Sequence, residues 1–453
     1  MSAQALKLDI GGLTAAYARG VHEPVAVLQA LLAQVHADTR GLNAFCHLDA
    51  EGALAQAQAS AARWQAGRAL GPLDGVPVSI KDLLPVAGWP TRRGSLSTAG
   101  DPPATQDAPL VAHLRAAGAV LFGKTTTTEF GWTIASHNPH AGTTRNPRDV
   151  TRGAGGSSSG AAAQIAAGWG PLAVGSDAGG SVRIPAAWCG VVGFKPTFGA
   201  IPAAPQSAFA EFAHFGPLTR SVADCTRAMA VLGQPDARDP ASLYPRTPAQ
   251  RPAQLRIGWS LALGAPTVPD AAIAQAMQAL LERLAAAGHQ LVALPALGLD
   301  ADQAMWTVWQ SRVHESFVDW SAAQRATLDP ALQCLWEQGA DLSPTRLARA
   351  RAQLRGLAGA LSQQFAGIDV LLTPTAPTVA PPLPEAPDAQ PRNWFTGNGY
   401  CYPFNLTQQP ALSLPLGRDA QGLPFGLQAV GRRYADELVL HAGRVVEGML
   451  AAG

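Results

Sequence analysis

Arg152 to Thr197 reads RGAGGSSSGAAAQIAAGWGPLAVGSDAGGSVRIPAAWCGVVGFKPT, the densest cluster of glycine and serine in the chain. Such a cluster admits four readings. The first is a phosphate cradle: Gly155 to Gly160 matches half of a G-x-x-x-x-G-K-[ST] loop, but Ala161 and Ala162 stand where lysine and a hydroxyl must reach phosphate and magnesium. The second is the G-x-S-x-G elbow of a Ser-His-Asp hydrolase, which is not read at any serine of the chain, so an enzyme of that type is not expected. The third is a solvated loop without chemistry. The fourth is a serine hydrolase whose ultimate base is a lysine. For that reading Asp177-Ala178-Gly179-Gly180-Ser181 supplies a serine beside a run of backbone N–H groups, and its two glycines let main chain approach a substrate carbonyl closely.

Outward from this segment, apolar runs bounded by Gly or Pro alternate with helical periodicity. Val76 to Ile80, Val120 to Phe122, Leu172 to Val174, Leu255 to Trp259, Leu291 to Leu294, Val370 to Thr373, Ala411 to Leu416 and Gly426 to Val430 have the length and β-branched content of buried strands. Helices are expected near Glu23 to Ala37, Glu51 to Ala66, Ala108 to Ala117, Gly160 to Ala167, Val222 to Leu232, Asp270 to Ala287 and Arg346 to Gln364. The alternation predicts an α/β protein with a large, mainly parallel or mixed sheet. At 453 residues the chain could be three domains or one large sheet. Two stretches read as linkers, Gln234 to Pro252 and the proline cluster Pro374 to Pro391, the second alternatively a long surface loop.

The 33 Lys plus Arg against 32 Asp plus Glu leave a net charge of +1, so a polyanionic partner such as nucleic acid is not expected. Only 14% of residues are charged, against roughly 25% in an average soluble chain, but 47% are hydrophobic, which indicates a globular protein rather than a disordered one. The five cysteines, Cys46, Cys189, Cys225, Cys334 and Cys401, are odd in number and never in C-x-x-C spacing. That argues against a disulfide framework or zinc site and for a reducing, cytoplasmic compartment. Met1 to Gly20 has no apolar signal run, and the most membrane-like stretch, Ala161 to Gly175, is too short to span.

Three motifs, GVPVSIKD at Gly75 to Asp82, GGSSSG at Gly155 to Gly160 and GSDAGGSVRIPAAWCG at Gly175 to Gly190, make the chain resemble the amidase signature family. GKTTTTEFGW at Gly123 to Trp132, TRNPRD at Thr144 to Asp149, GPLTRSVAD at Gly216 to Asp224 and LLTPTAP at Leu371 to Pro377 extend the likeness over nearly the whole chain. The resemblance implies one domain over 1–453, a mixed, twisted β-sheet covered by helices on both faces. Its catalytic core would lie at about 70–200 and a variable substrate wall at about 290–400. It also implies an amidase without cofactor or metal, in which Ser181 is the nucleophile, Ser157 a bridging serine preceded by a cis peptide bond, and Lys81 the catalytic lysine. The backbone amides of Ala178, Gly179, Gly180 and Ser181 would form the oxyanion hole, with Ser176, Asp177 and Arg183 in support.

Departures from the family pattern, Ala154 for proline, Ser159 for glycine, Ala161 for serine and Ser176 for threonine, leave the three catalytic side chains untouched. The chemistry then requires Lys81 to be neutral, and the apolar Val76, Val78, Ile80, Leu83 and Leu84 around it suit a lowered pKa.

Other candidates carry a plainer reading beside the functional one. Asp177 and Arg183 are better taken as a structural pair holding the loop than as substrate ligands, and Arg92 and Arg93 as solvated loop charges rather than a carboxylate site. Trp306, Trp309, Val313, Phe317 and Trp320 fall at helical offsets and read first as core, with a pocket lining as the alternative. Trp132, Ile134, Asn398, Tyr400 and Tyr402 are weak pocket candidates. His137 and His140 lack further ligands at metal spacing.

The expected partner is a small-molecule amide, with neither nucleic acid nor membrane, and a homodimer is the assembly the reading allows. The alternatives are the glutaminase subunit of a tRNA-dependent amidotransferase, against which Ile184 stands where such subunits resemble R-Q-P, and a non-catalytic scaffold on the same fold.

Overall fold

Strand pairing in the computed structural model, which describes residues 2–245, 251–263, 268–295, 301–384 and 390–451, gathers eleven strands of these residues into one sheet. They are β1 Phe45–Leu48, β2 Pro77–Lys81, β3 Val120–Thr125, β4 Leu172–Asp177, β5 Val192–Lys195 and β6 His214–Thr219. The rest are β7 Arg256–Trp259, β8 Gln290–Ala293, β9 Val370–Pro374, β10 Ala411–Arg418 and β11 Pro424–Val430. Their order is β1-β3-β2-β4-β6-β5-β10-β11-β9-β7-β8. β3, β2 and β4 run parallel, as do β9, β7 and β8, while the strands between these groups pair antiparallel. The sheet is therefore mixed, and strands on both sides of each stretch read as a linker belong to it.

Alternation along the strands explains helices on both faces. In β3, Leu121 joins Val78, Ile80, Leu172 and Val174 against Pro109–Ala116 and Val222–Leu232. Its neighbours Val120 and Phe122 point the other way, into Pro24–His36 and Ala50–Gln65. Successive strand side chains face opposite sides, and here both sides are apolar, so both are covered.

Three strands of this sheet, β1, β5 and β6, were not foreseen. In β6, Gly216 and Pro217 read as a turn, yet this strand lies between β4 and β5. A Cβ on Gly216 would fall 1.8 Å from the Phe194 carbonyl, so the glycine marks close backbone approach rather than a break. Helices Arg183–Cys189, Asp302–Phe317, Pro330–Ala340 and Asp436–Ala451 were likewise not delimited. Of the two supposed linkers, Gln234 to Pro252 includes 246–250 and Pro374 to Pro391 includes 385–389, which lie outside the described residues. The described part of the second is anchored: Trp188 Nε1 donates to Thr378 O at 2.9 Å and Arg152 to Ala380 O at 2.6 Å. Up to Ala380 it is packed rather than free, with Ala376 and Ala380 buried against Ile184 and Trp188. Among the described residues no helix is long and apolar enough to cross a membrane.

Candidate active site

Lys81 ends β2, and parallel pairing of Ile80 with Val174 sets it beside Ser176 at the same end of β4. Ser79 and Lys81 share one face of the strand and point toward helix Ser159–Ala167, where Ser79 bonds Gln164. Lys81 is fully buried. Its Nζ lies 2.7 Å from Ser157 Oγ, 3.0 Å from Ser158 Oγ and 3.0 Å from Ser176 Oγ.

Every hydrogen-bond partner of Lys81 is thus a neutral oxygen. The two neighbouring carboxylates are held elsewhere: Asp82 by Lys124 at 3.0 Å, and Asp177 by Arg183 at 2.8 Å. Burial accordingly pushes the Lys81 ammonium well below its ordinary pKa, and the more distant charge of Asp177 offsets this only in part.

Ser158 was overlooked in the sequence, although Gly156-Ser157-Ser158-Ser159-Gly160 is the one place where a serine of this cluster fits G-x-S-x-G. It is no elbow nucleophile. Its side chain is fully buried, its hydroxyl donates to Ser176 O at 3.1 Å, and its oxygen thereby faces Lys81 as an acceptor.

The Gly156–Ser157 peptide bond is cis, as the resemblance implied. Gly156 is required there, since a Cβ would lie 2.3 Å from the Ala135 carbonyl oxygen and 2.8 Å from the Ile134 carbonyl carbon. The Trp132 to Ala135 segment therefore does pass against this site. Ser181 is 4% exposed, and its hydroxyl makes no hydrogen bond among the described residues; the two serine segments are joined instead by Ser158 N–H donating to Ser181 O at 3.1 Å.

Of the four amides expected to form an oxyanion hole, that of Gly180 is committed to Asp177 Oδ1 at 2.7 Å. Those of Ala178, Gly179 and Ser181 have no partner among the described residues, so the candidate set narrows to these three. The difference comes from the Asp177 carboxylate folding back over its own loop, where it also receives the Val182 N–H at 3.1 Å.

Asp177 and Arg183 form a bidentate, fully buried pair, Nε to Oδ2 at 2.9 Å and a second nitrogen to Oδ1 at 2.8 Å. The remaining guanidinium donors reach Gln428 Oε1 at 2.7 Å, Cys401 O at 3.0 Å and Asn405 Oδ1 at 2.6 Å, while Asn405 also donates to Asp177. Burial alone would raise the Asp177 pKa, but Arg183 outweighs it and holds the carboxylate far below its usual range. With no donor left over, this pair builds the loop. Arg183→Met is expected to destabilise the fold by about 3–5 kcal/mol, because an unpaired carboxylate stays buried. An unchanged urea midpoint would contradict the role.

The aromatic stripe lies close by. Trp306, Trp309, Val313 and Phe317 are buried in helix Asp302–Phe317, with Trp309 stacked on Phe209 at 3.7 Å. Trp309 also meets Trp394 and Phe395 edge-on at 5.5 and 5.3 Å. Those two rings, which the sequence did not single out, touch the Asp177–Ser181 loop: a Cβ on Gly179 would lie 2.6 Å from Trp394 and 3.0 Å from Phe395. Trp306 and Trp309 thus back the layer formed by Trp394 and Phe395. Both Trp309 and Trp394 donate their indole N–H to Trp132 O, at 3.0 and 3.1 Å, which locks the wall.

Trp394 therefore cannot yield cheaply, and Gly179→Ala is expected to cut amide turnover by ~tenfold or more through displacement of the loop. Wild-type turnover in that variant would mean the ring gives way. Tyr400, offered as a weak pocket candidate, is fully buried with its hydroxyl on Leu261 O at 2.6 Å. Arg92 is not a solvated charge but clamps its own loop through Thr98 O and Asp101 O at 2.9 and 2.7 Å, while Arg93 lies 3.8 Å from Asp101. His137 pairs with Thr143 in a small hairpin.

A deeply buried lysine on neutral oxygens, a serine preceded by a cis bond, and a glycine-built loop ending in a second serine match the arrangement that the resemblance to amide-cleaving enzymes implies. The sequence pattern of the amidase family matches residues 26–440, and the chain belongs to that family. An acylamidase of Rhodococcus erythropolis is 35% identical over 94% of this chain and 92% of its own length. A glutamyl-tRNA(Gln) amidotransferase subunit of Picosynechococcus is 32% identical over 93% and 94%. The crystal structure of a bacterial aryl acylamidase of the amidase signature family superposes with a TM-score of 0.89, at 27% identity over 98% of this chain and 96% of that one. The protein is an amide-hydrolysing enzyme of this family.

Proposed function

We propose that the enzyme hydrolyses a small-molecule carboxylic amide through an acyl-Ser181 intermediate, with Lys81 as the base and Ser157 as the proton relay. The observation that carries this reading is the hydrogen bond from a fully buried, carboxylate-free Lys81 to Ser157 at 2.7 Å. A neutral Lys81 accepts the Ser157 proton as Ser157 accepts that of Ser181, and Ser181 Oγ adds to the substrate carbonyl. The hydrogen bond between the two serines forms as substrate aligns them. Amides of Ala178, Gly179 and Ser181 receive the oxyanion. The C–N bond then breaks as the proton returns through Ser157 to the leaving nitrogen. Water attacks the acyl ester by the same relay, regenerating Ser181 and releasing the carboxylate. The catalytic core is taken as about 70–200 and the substrate wall as about 290–400.

The wall over Gly179 is aromatic and its polar atoms are bonded internally, which favours uncharged acyl groups over dicarboxylic or amino-acid amides. A panel of aliphatic, aryl, dicarboxylic and amino-acid amides with hydroxylamine tests this. Hydroxamate from an uncharged class supports the reading, while ammonia from glutamine alone would replace it with the amidotransferase reading that the 32% relative keeps in view. Ile184, buried beneath Gly180, weighs against that alternative.

Because Lys81 must be neutral, kcat/KM should rise from neutral toward alkaline pH, through its lowered pKa. A profile flat down to pH 5 would contradict the base assignment.

A further inference from the structure

Glu129 is a buried carboxyl with no task in the scheme above. It is 1% exposed and opens the short turn Glu129–Gly131. Its two oxygens are held by segments remote in sequence: one accepts from Ser95 Oγ at 2.5 Å, the other from the Asp329 N–H at 2.7 Å. Burial, with the like charge of Asp329 added, pushes its pKa up to about 7, against the pull of these two donors.

Each attachment leads to a different layer of the site. Ser95 belongs to the loop after Lys81, which is tied back by Arg93 N–H donating to Asp82 O at 3.1 Å. Two residues after Glu129 the chain touches the relay serine, since a Cβ on Gly131 would lie 3.3 Å from Ser157 Oγ. Asp329 caps helix Pro330–Ala340 by accepting the Ala331 N–H at 3.0 Å. That helix packs on Asp302–Phe317 so closely that a Cβ on Gly339 would lie 2.4 Å from Gln310 O. Between them Phe130, at φ +49°, turns its ring onto Phe317 at 4.9 Å and Trp320 at 5.7 Å. A left-handed phenylalanine is strained and persists only where its surroundings hold it.

We propose that Glu129 is a positioning residue for amide hydrolysis: its carboxyl couples the substrate wall, through the main chain of Asp329, to the layer that carries Ser157, and so sets the room available to the bulky part of the amide. The proposal rests on the reading of Ser157 and Ser181 given above. A main-chain donor cannot swing away as a side chain does, so loss of the carboxyl frees the start of helix Pro330–Ala340 as a unit. A glutamine can replace the acid: its oxygen accepts from Asp329, and its NH2 donates to Ser95 Oγ, whose own proton turns to Ser97 Oγ, 2.6 Å away.

The experiment compares E129Q and E129A with the wild type on a small aliphatic amide and a bulky aryl amide. Backbone hydrogen exchange of residues 328–336 and labelling of Ser181 by a small fluorophosphonate are followed in parallel. E129A is expected to raise KM for the bulky amide by ~tenfold, as loss of a hydrogen bond to a buried carboxyl predicts. It should also speed exchange at 328–336, with small-amide kcat and Ser181 labelling little changed. E129Q should restore all of these.

Asp329→Pro removes the same N–H at a residue whose φ of −50° suits proline, and it carries the test if E129A does not fold. Asp329→Asn, which keeps both the N–H and the cap, should behave as wild type. Equal loss of kcat for both amides with KM and exchange unchanged would overturn the proposal, as would an E129Q as impaired as E129A. Failure of wild-type Ser181 to label would instead sink the nucleophile assignment, while the exchange result still decides the coupling.

Discussion

Ser181→Ala should remove both ammonia and hydroxamate formation, lowering kcat by roughly 10^5-fold, since loss of a nucleophile that acts as part of a unit costs about as much as losing the unit. The protein should remain folded. The Ser181 hydroxyl holds nothing together among the described residues; the structural contacts of this residue are made by its main chain, which receives the Ser158 N–H. Replacing Oγ by hydrogen therefore leaves no buried donor unpaired. The measurement is single-turnover acyl transfer to hydroxylamine, beside a thermal melt. Persistent hydroxamate in a correctly folded variant would show that another group takes the acyl chain, and Ser158 would be the first to examine.

The second large effect concerns Lys81→Met, for which a loss of ~10^3-fold or more is expected together with the alkaline rise of the pH profile. The stability consequence runs opposite to the catalytic one. In the folded state the Lys81 pKa lies well below its ordinary value of 10.5, so between the two values the unfolded chain carries the proton and the folded chain does not. Stability then rises with pH across that window, and the wild type bears a cost on its acid side. Methionine removes the titration, so Lys81→Met should show a shallower dependence of the melting temperature on pH, whatever offset comes from the Ser157 hydroxyl losing its partner. A variant with the wild-type pH slope of melting, or one that keeps wild-type turnover, would sink the assignment of Lys81 as a neutral, buried base.

Much of the fold could be read from local pattern. β9 and the first half of β4 are short apolar runs close to Gly or Pro, as strands covered on both faces allow, while β2 shows Val78 and Ile80 alternating with the buried polar Ser79 and Lys81. β6 escaped because Gly216 and Pro217 imitate a turn, and only the Phe194 carbonyl pressed against Gly216 explains them. Helix Asp302–Phe317 could be seen as an aromatic stripe but not as an element, for it is buried on nearly every side and so lacks a polar face to contrast. The stripe reads first as core and only second as a pocket lining, and its neighbours Trp394 and Phe395 escape notice because they follow a proline-rich stretch that shows no periodicity.

Sequence by itself determined the kind of side chain available and its local geometry: a lysine at the end of a strand, serines behind glycine pairs, and an acid and an arginine on either side of Ser181. These are properties of neighbours along the chain. Tertiary structure alone decided how each group is used, because hydrogen bonds join residues as far as 245 positions apart. Lys81 is left with neutral oxygens because Asp82 goes to Lys124 and Asp177 to Arg183. The Gly180 amide is withdrawn from the oxyanion set by Asp177, and Glu129 finds its donors at Ser95 and Asp329. A buried polar group must be satisfied by whatever the fold brings to it, and that choice is made in space rather than along the chain.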